Sequence, residues 1–105
     1  MLKAQSGGLS TKPIYIVFAA DWCGACDNLY RLLQDAGIEN SVVFVDIERT
    51  WGFLFSREMG VNGVPTLAVI NSNKTIQTRA GVNKIITYLV ARLDKNKDVE
   101  LIQGL

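Results

Sequence analysis

Cys23 and Cys26 are the only cysteines in a chain of 105 residues, and the run Trp22-Cys23-Gly24-Ala25-Cys26 sets them three positions apart. If a helix begins at about Cys23, side-chain roots at that separation share one face roughly 5–6 Å apart. Small adjustments then bring the two sulfurs to bonding geometry, so the pair can cycle between dithiol and disulfide without unfolding its surroundings. A helix start also sorts the two thiols, because unpaired backbone N–H groups and the positive end of the dipole stabilise a thiolate there. Cys23 is therefore the expected nucleophile. Cys26, one turn in, falls on the side of Leu29, Leu33 and Ala36 that a helix would bury, and is the expected shielded, resolving thiol. A non-catalytic pair at a helix start and one half of a zinc site are the competing readings. Zinc takes four ligands, whereas the chain offers two thiols and no histidine.

The elements that must position this pair alternate between strand and helix. Ile14-Tyr15-Ile16-Val17-Phe18 and Val42-Val43-Phe44-Val45 are near-continuous β-branched and aromatic runs, the pattern of strands buried on both faces of a parallel sheet. Between them Leu29, Leu32, Leu33 and Ala36 recur at helical spacing, with Gly37 as a natural C-terminal cap, and the segment reads as a βαβ unit. Thr50 is placed to cap a second helix carrying Trp51, Leu54, Phe55 and Met59 on one stripe, with Gly52 weakening it by about 1 kcal/mol relative to alanine. Trp51, Phe53 and Phe55 are read as core and helix-packing residues. After Pro65, the stretches Thr66 to Ile70 and Thr75 to Arg79 flank the turn-rich Asn71-Ser72-Asn73-Lys74 and predict an antiparallel hairpin. Gly81 breaks it, Asn83 can cap, and Ile85, Ile86, Leu89, Val90 and Leu93 form the stripe of a closing helix.

Composition bounds the rest. With 49% hydrophobic and 20% charged residues, the chain suits one compact domain over 1–105, with a core at about 13–93, a flexible N-terminus at 1–12 and an uncertain tail at 95–105. A formal net charge of +1, with no large basic or acidic block, gives no electrostatic reason to expect nucleic acid or a membrane surface as partner. The first dozen residues, Met1 to Lys12, carry no continuous apolar run of the signal-peptide kind, and no later run reaches the roughly 20 residues of a membrane span. A soluble, cytoplasmic protein is expected, and in such a compartment a lone cysteine pair is more often catalytic or metal-binding than a structural staple.

A buried strand ending in Ala20-Asp21-Trp22-Cys23-Gly24-Ala25-Cys26, a second strand, then Gly60-Val61-Asn62-Gly63-Val64-Pro65-Thr66 and a hairpin ending at Gly81 resemble the thioredoxin superfamily in order and spacing. The resemblance covers about Pro13 to Leu93. A CxxC alone is a weak signal; tryptophan directly before it and Val-Pro-Thr about forty residues later make it specific. It implies an α/β thioredoxin-like fold, with a mixed four-stranded sheet built from a βαβ unit and a β-hairpin and flanked by helices. The N-terminal segment is too short for the family's full first strand and helix, so a trimmed fold is expected. By the same resemblance the Val64–Pro65 peptide is cis, X–Pro being essentially the only place for such bonds. The backbone at Val64 then pairs with an extended substrate segment. Trp22, Gly24, Ala25, Pro65, Gly81 and Val82 complete the expected substrate groove.

The departures bear on mechanism. Where thioredoxins usually carry a buried aspartate, six residues before the first cysteine, this chain has Val17, and the associated lysine aligns with Phe44. A carboxylate there is thought to help deprotonate the resolving cysteine, and a nearby negative charge raises thiolate pKa values. Its loss is expected to favour the Cys23 thiolate and to slow resolution by Cys26. Asp21 and Asp46 are candidate substitutes, at positions that are not the family's. Gly24-Ala25 replaces the usual Gly-Pro, and no imidazole is available to stabilise the reduced thiolate as in strongly oxidising relatives. The family's proline kink in the active-site helix is also missing, with Arg31 nearby.

The expected function is therefore that of a protein-disulfide reductase or exchanger, acting through Cys23 and Cys26 with no bound cofactor beyond their own redox-active disulfide. Its expected partners are protein disulfides and a separate reductase or small-thiol electron donor, and a monomer is expected. A glutathione-dependent, glutaredoxin-like enzyme is one alternative; the Trp-Cys start and the lack of an evident basic patch argue against it. A thioredoxin-fold binding or assembly module is the other.

Overall fold

β1 (Ile14–Ala19) is the strand around which the molecule is built, because its side chains are apolar on both faces. In the computed structural model, which describes residues 12–93, β1 is followed by α1 (Gly24–Asp35), a 3-10 turn (Glu39–Ser41), β2 (Val43–Asp46), α2 (Thr50–Glu58), β3 (Thr66–Ile70), β4 (Ile76–Ala80) and α3 (Val82–Leu93). The expectations for a reduced first strand and helix before residue 12, and for the tail at 95–105, lie outside the described residues. The strands form one mixed sheet in the order β2-β1-β3-β4. β1 runs parallel to β2 and antiparallel to β3, and β3 pairs antiparallel with β4. This is the α/β sheet expected from the sequence, with the βαβ unit first and the hairpin after it.

Alternation along the strands divides the core between the two faces. Tyr15, Val17, Leu67 and Val69 join Leu29 and Leu33 of α1 and Ile85 and Leu89 of α3 on one face. Ile16, Phe18, Val45 and Ala68 meet α2 on the other, where Phe18 packs edge-on against Phe55 with ring centroids 5.5 Å apart. On the first face Tyr15 packs edge-on against Tyr88. Burial pushes the Tyr15 hydroxyl pKa above the usual tyrosine value; Tyr88 adds to the rise and Arg92 opposes it.

Four local expectations are corrected by this packing. The run at Val42–Val45 was expected to be buried on both faces, yet β2 is an edge strand and Val43 is exposed. Thr50 begins α2 rather than capping it; the N-cap is Arg49, with no side-chain cap hydrogen bond. The buried residues of α2 are Gly52 and Ser56, with Phe55 and Met59 packed beside them. Trp51, Phe53 and Leu54 point to solvent instead of the core. Asn83 lies within the first turn of α3, which begins at Val82.

Gly52 explains the rotation of α2. A Cβ there would overlap the Asp46 carbonyl oxygen and approach the Asp46 carbonyl carbon at 2.9 Å and Val45 Cγ1 at 3.2 Å. The glycine lets the helix backbone lie directly on the end of β2, so the helix is seated by its narrowest face.

Candidate active site

The chain leaves β1 at Ala19 and turns through Ala20–Cys23, where the Cys23 N–H donates to the Ala20 carbonyl at 3.1 Å. Cys23 is the N-cap of α1, with extended backbone. Its sulfur accepts a hydrogen bond from the Cys26 N–H at 3.1 Å, and its carbonyl accepts from the Cys26 and Asp27 N–H groups. The first cysteine thus occupies the position where a serine or aspartate side chain would satisfy orphan helix donors. A thiolate there gains an amide donor and the positive end of the helix dipole.

Cys23 and Cys26 are joined as a disulfide, with Cα atoms 5.2 Å apart. Burial does not separate the two, since they are 6% and 4% exposed; their neighbours do. Cys26 shares the inner side of α1 with Leu29 and Leu33. It also borders a cleft of about 320 Å³ lined by Asp21, Asp27, Tyr30, Phe44 and Asp46 among others. Cys23 is absent from that lining. Val17 is fully buried among the leucines of the main core, paired in register with Phe44, and Phe44 packs edge-on against Tyr30 at 5.2 Å. Apolar groups therefore fill both positions at which the family places its carboxylate and lysine.

The loop before β3 closes over the disulfide. Val64 packs against the cluster of Ala20, Cys23 and Cys26, and the Val64–Pro65 peptide is cis. Thr66 Oγ1 donates to the Gly63 carbonyl at 2.6 Å, and the Gly81 N–H donates to the Pro65 carbonyl at 3.1 Å. Gly81 takes φ of +95°, a backbone region open mainly to glycine. Among the described residues, no backbone group takes up the N–H or C=O of Val64. Trp22, Gly24 and Ala25 are exposed beside the cysteines, Trp22 at 68%. Val82 is half-buried, with its side chain packed against the main core.

Two surroundings were not legible beforehand. The cleft beside Cys26 depends on the register that sets Asp46 opposite Ala19. A second, basic cleft gathers Arg79, Lys84 and Arg92, with the two guanidiniums each 3.8 Å from the centre of the Tyr88 ring. These cations are dispersed in sequence, and the cleft includes neither cysteine nor Val64. Among the described residues no group of three or more His, Cys, Asp or Glu side chains is placed to hold a metal, and no described helix is long and apolar enough to cross a membrane.

A mixed sheet with a disulfide at the N-terminus of its first described helix, overhung by a cis-proline loop, defines a thioredoxin-fold domain. Comparison with known proteins agrees. Residues 5–95 match the thioredoxin family, and the chain belongs to it. It is 29% identical over 89 residues to protein disulfide-isomerase 1 of Dictyostelium discoideum, a match covering 75% of this chain and 24% of that protein. It is 28% identical over 91 residues to a thioredoxin-like protein of Synechocystis, covering 80% and 82% of the two. Thioredoxin f from spinach chloroplast superposes with a TM-score of 0.62 at 18% identity, over 80% of this chain and 79% of that one, a likeness of fold. The chain spans only about a quarter of the Dictyostelium protein and 37% of a chloroplastic thioredoxin-like protein of Solanum tuberosum.

Proposed function

We propose that this domain, with its core at about 13–93, is a thiol–disulfide oxidoreductase that reduces or exchanges protein disulfides. The observation that carries the reading is the Cys23–Cys26 disulfide at the N-cap of α1, with Val64 packed over it. In the reduced form the Cys23 thiolate attacks one sulfur of a substrate disulfide and expels the other as a thiolate, leaving a mixed disulfide. Cys26 then attacks the Cys23 sulfur, the substrate's second sulfur departs, and the Cys23–Cys26 disulfide forms. Two electrons pass from the dithiol to the substrate. The backbone of Val64, unpaired among the described residues, holds an extended substrate segment by strand addition, and Trp22, Gly24, Ala25, Pro65 and Gly81 border it, Val82 contributing backbone. No bound cofactor is required, because a reductase or a small thiol restores the dithiol. The protein acts as a cytoplasmic monomer. Glutathione use is disfavoured, since the basic cleft at Arg79, Lys84 and Arg92 has no lining residue in common with the disulfide site.

Insulin reduction coupled to dithiothreitol tests the proposal. The wild type is expected to accelerate precipitation of the insulin B chain catalytically, and Cys23→Ser to fall to the rate of dithiothreitol alone. Wild type no faster than dithiothreitol would remove the enzymatic reading and leave a binding module.

A further inference from the structure

Resolution by Cys26 needs its proton removed, and no carboxylate stands where the family keeps one. Val17 is fully buried with Leu29, Leu33 and Leu67 around it, so among the described residues the core on that side of α1 is apolar. The other approach is open. The cleft beside Cys26 has a volume of about 320 Å³, room for several waters at roughly 30 Å³ each. Asp46 lies on its wall at the end of β2, in register with Ala19. Strand alternation puts Asp46 on the same face as Phe44, two residues further along β2 and level with the last residue of β1, Ala19, after which the chain turns to Cys23.

Three carboxylates line this cleft, and they are not equivalent. Asp21 and Asp27 are exposed, whereas Asp46 is half-buried. Asp27 also follows Cys26 directly on α1, so the helix turns their side chains about 100° apart. Asp46 is held in place from both ends. Its Oδ1 accepts the Glu48 N–H at 2.9 Å, and its carbonyl accepts the Arg49 N–H at 3.3 Å. Glu48 in turn accepts the Asp21 N–H at 3.2 Å. Tyr30 is the remaining titratable group on the lining, which includes no lysine or arginine.

We infer that Asp46 is the proton acceptor for Cys26, working through solvent in the cleft, so that the proton route of this protein runs along β2 instead of through the buried β1 position. The inference rests on the oxidoreductase reading above. In the step concerned the Cys26 S–H proton passes through water to the Asp46 carboxylate, and the Cys26 thiolate attacks the Cys23 sulfur. The bond from Cys23 to substrate sulfur breaks, the substrate leaves as a thiolate, and the proton on Asp46 returns to solvent.

An aromatic disulfide that releases a coloured thiolate separates the two steps in one stopped-flow trace. Attack by Cys23 gives a first equivalent of colour and resolution by Cys26 a second. In Asp46→Asn, which keeps an oxygen for the Glu48 N–H, the first phase is expected to be unchanged and to report an intact site. The second is expected to slow by about a hundredfold at pH 7, the lower end of general-base catalysis. The slowing should shrink as the pH rises, because direct ionisation of the Cys26 thiol then takes over from the carboxylate. Asp46→Glu restores much of the rate, and Asp27→Asn leaves it unchanged. An unaltered second phase in Asp46→Asn, or equal slowing in Asp27→Asn, overturns the assignment to Asp46. Failure of the oxidoreductase reading looks different, because the wild type then gives no second phase at any pH.

Discussion

Replacing Cys26 with serine is expected to convert a transient intermediate into a stable one. Offered a protein disulfide, Cys26→Ser should accumulate a mixed disulfide through Cys23 that non-reducing electrophoresis resolves and dithiothreitol dissolves. The size of the effect follows from geometry. Cys26 is fixed one helical turn from Cys23, Cα to Cα 5.2 Å, so its attack is intramolecular. Well-oriented intramolecular reactions reach effective molarities of roughly 10⁵ M and above, against millimolar external thiol. Release of substrate should therefore slow by at least about a thousandfold. The Cys23→Ser/Cys26→Ser double variant should capture nothing. Rapid product release by Cys26→Ser, equal to wild type, would show that resolution does not use the second cysteine.

The second large effect concerns the scaffold. Gly52→Ala should destabilise the protein by about 2 kcal/mol or more, within or above the usual overpacking cost of about 1–3 kcal/mol. Helix propensity alone predicts the opposite sign, a gain of about 1 kcal/mol. Packing outweighs it because the group in the way is the backbone of Asp46, which cannot step aside as a long side chain can. For a domain of this size the expected fall in Tm is about 10 °C. Gly24→Ala is the matched control: nothing lies within 4 Å of a Cβ there, so the substitution in α1 should be neutral or stabilising. A Gly52→Ala protein as stable as wild type would mean that α2 can lift away from β2 at little cost. Lifting α2 would also disturb Asp46 and Ile47, the latter packed against the cysteine cluster, so the loss should extend to the kinetics of the second thiol.

How much was readable beforehand depends on whether the cause is local. The strands at 14–19 and 66–70, the helix after Cys23 and the hairpin are set by runs, periodicities and turn residues within short windows, and the sequence reading located them. α2 was found but turned the wrong way. Its aromatic residues at Trp51 and Phe53 look like a core stripe until Gly52 is seen to touch β2, a contact between distant segments that no window contains. The exposure of Val43 follows likewise from sheet order, which makes β2 an edge.

At the site, the cysteine pair and the missing carboxylate at Val17 were visible in sequence, the latter by alignment to the family pattern. Asp46 was one of two candidate substitutes; both line the cleft, and its partial burial and the Glu48 N–H bond to its carboxylate distinguish it from the exposed Asp21. The sorting of the two thiols was expected to rest partly on burial. Residue burial is alike for the two, and what differs around them is an amide donor at Cys23 and a carboxylate-lined cleft at Cys26.

That sorting is the centre of the account, and competitive alkylation measures it directly. Protein reduced with dithiothreitol and freed of excess thiol is treated with a limiting amount of iodoacetamide between pH 5 and 9, and the modified cysteine is identified by peptide mapping. Cys23 should be labelled first at every pH, with a thiolate titrating below the ordinary value of about 8.5. Prior labelling of Cys26, or equal labelling of the two, would contradict it.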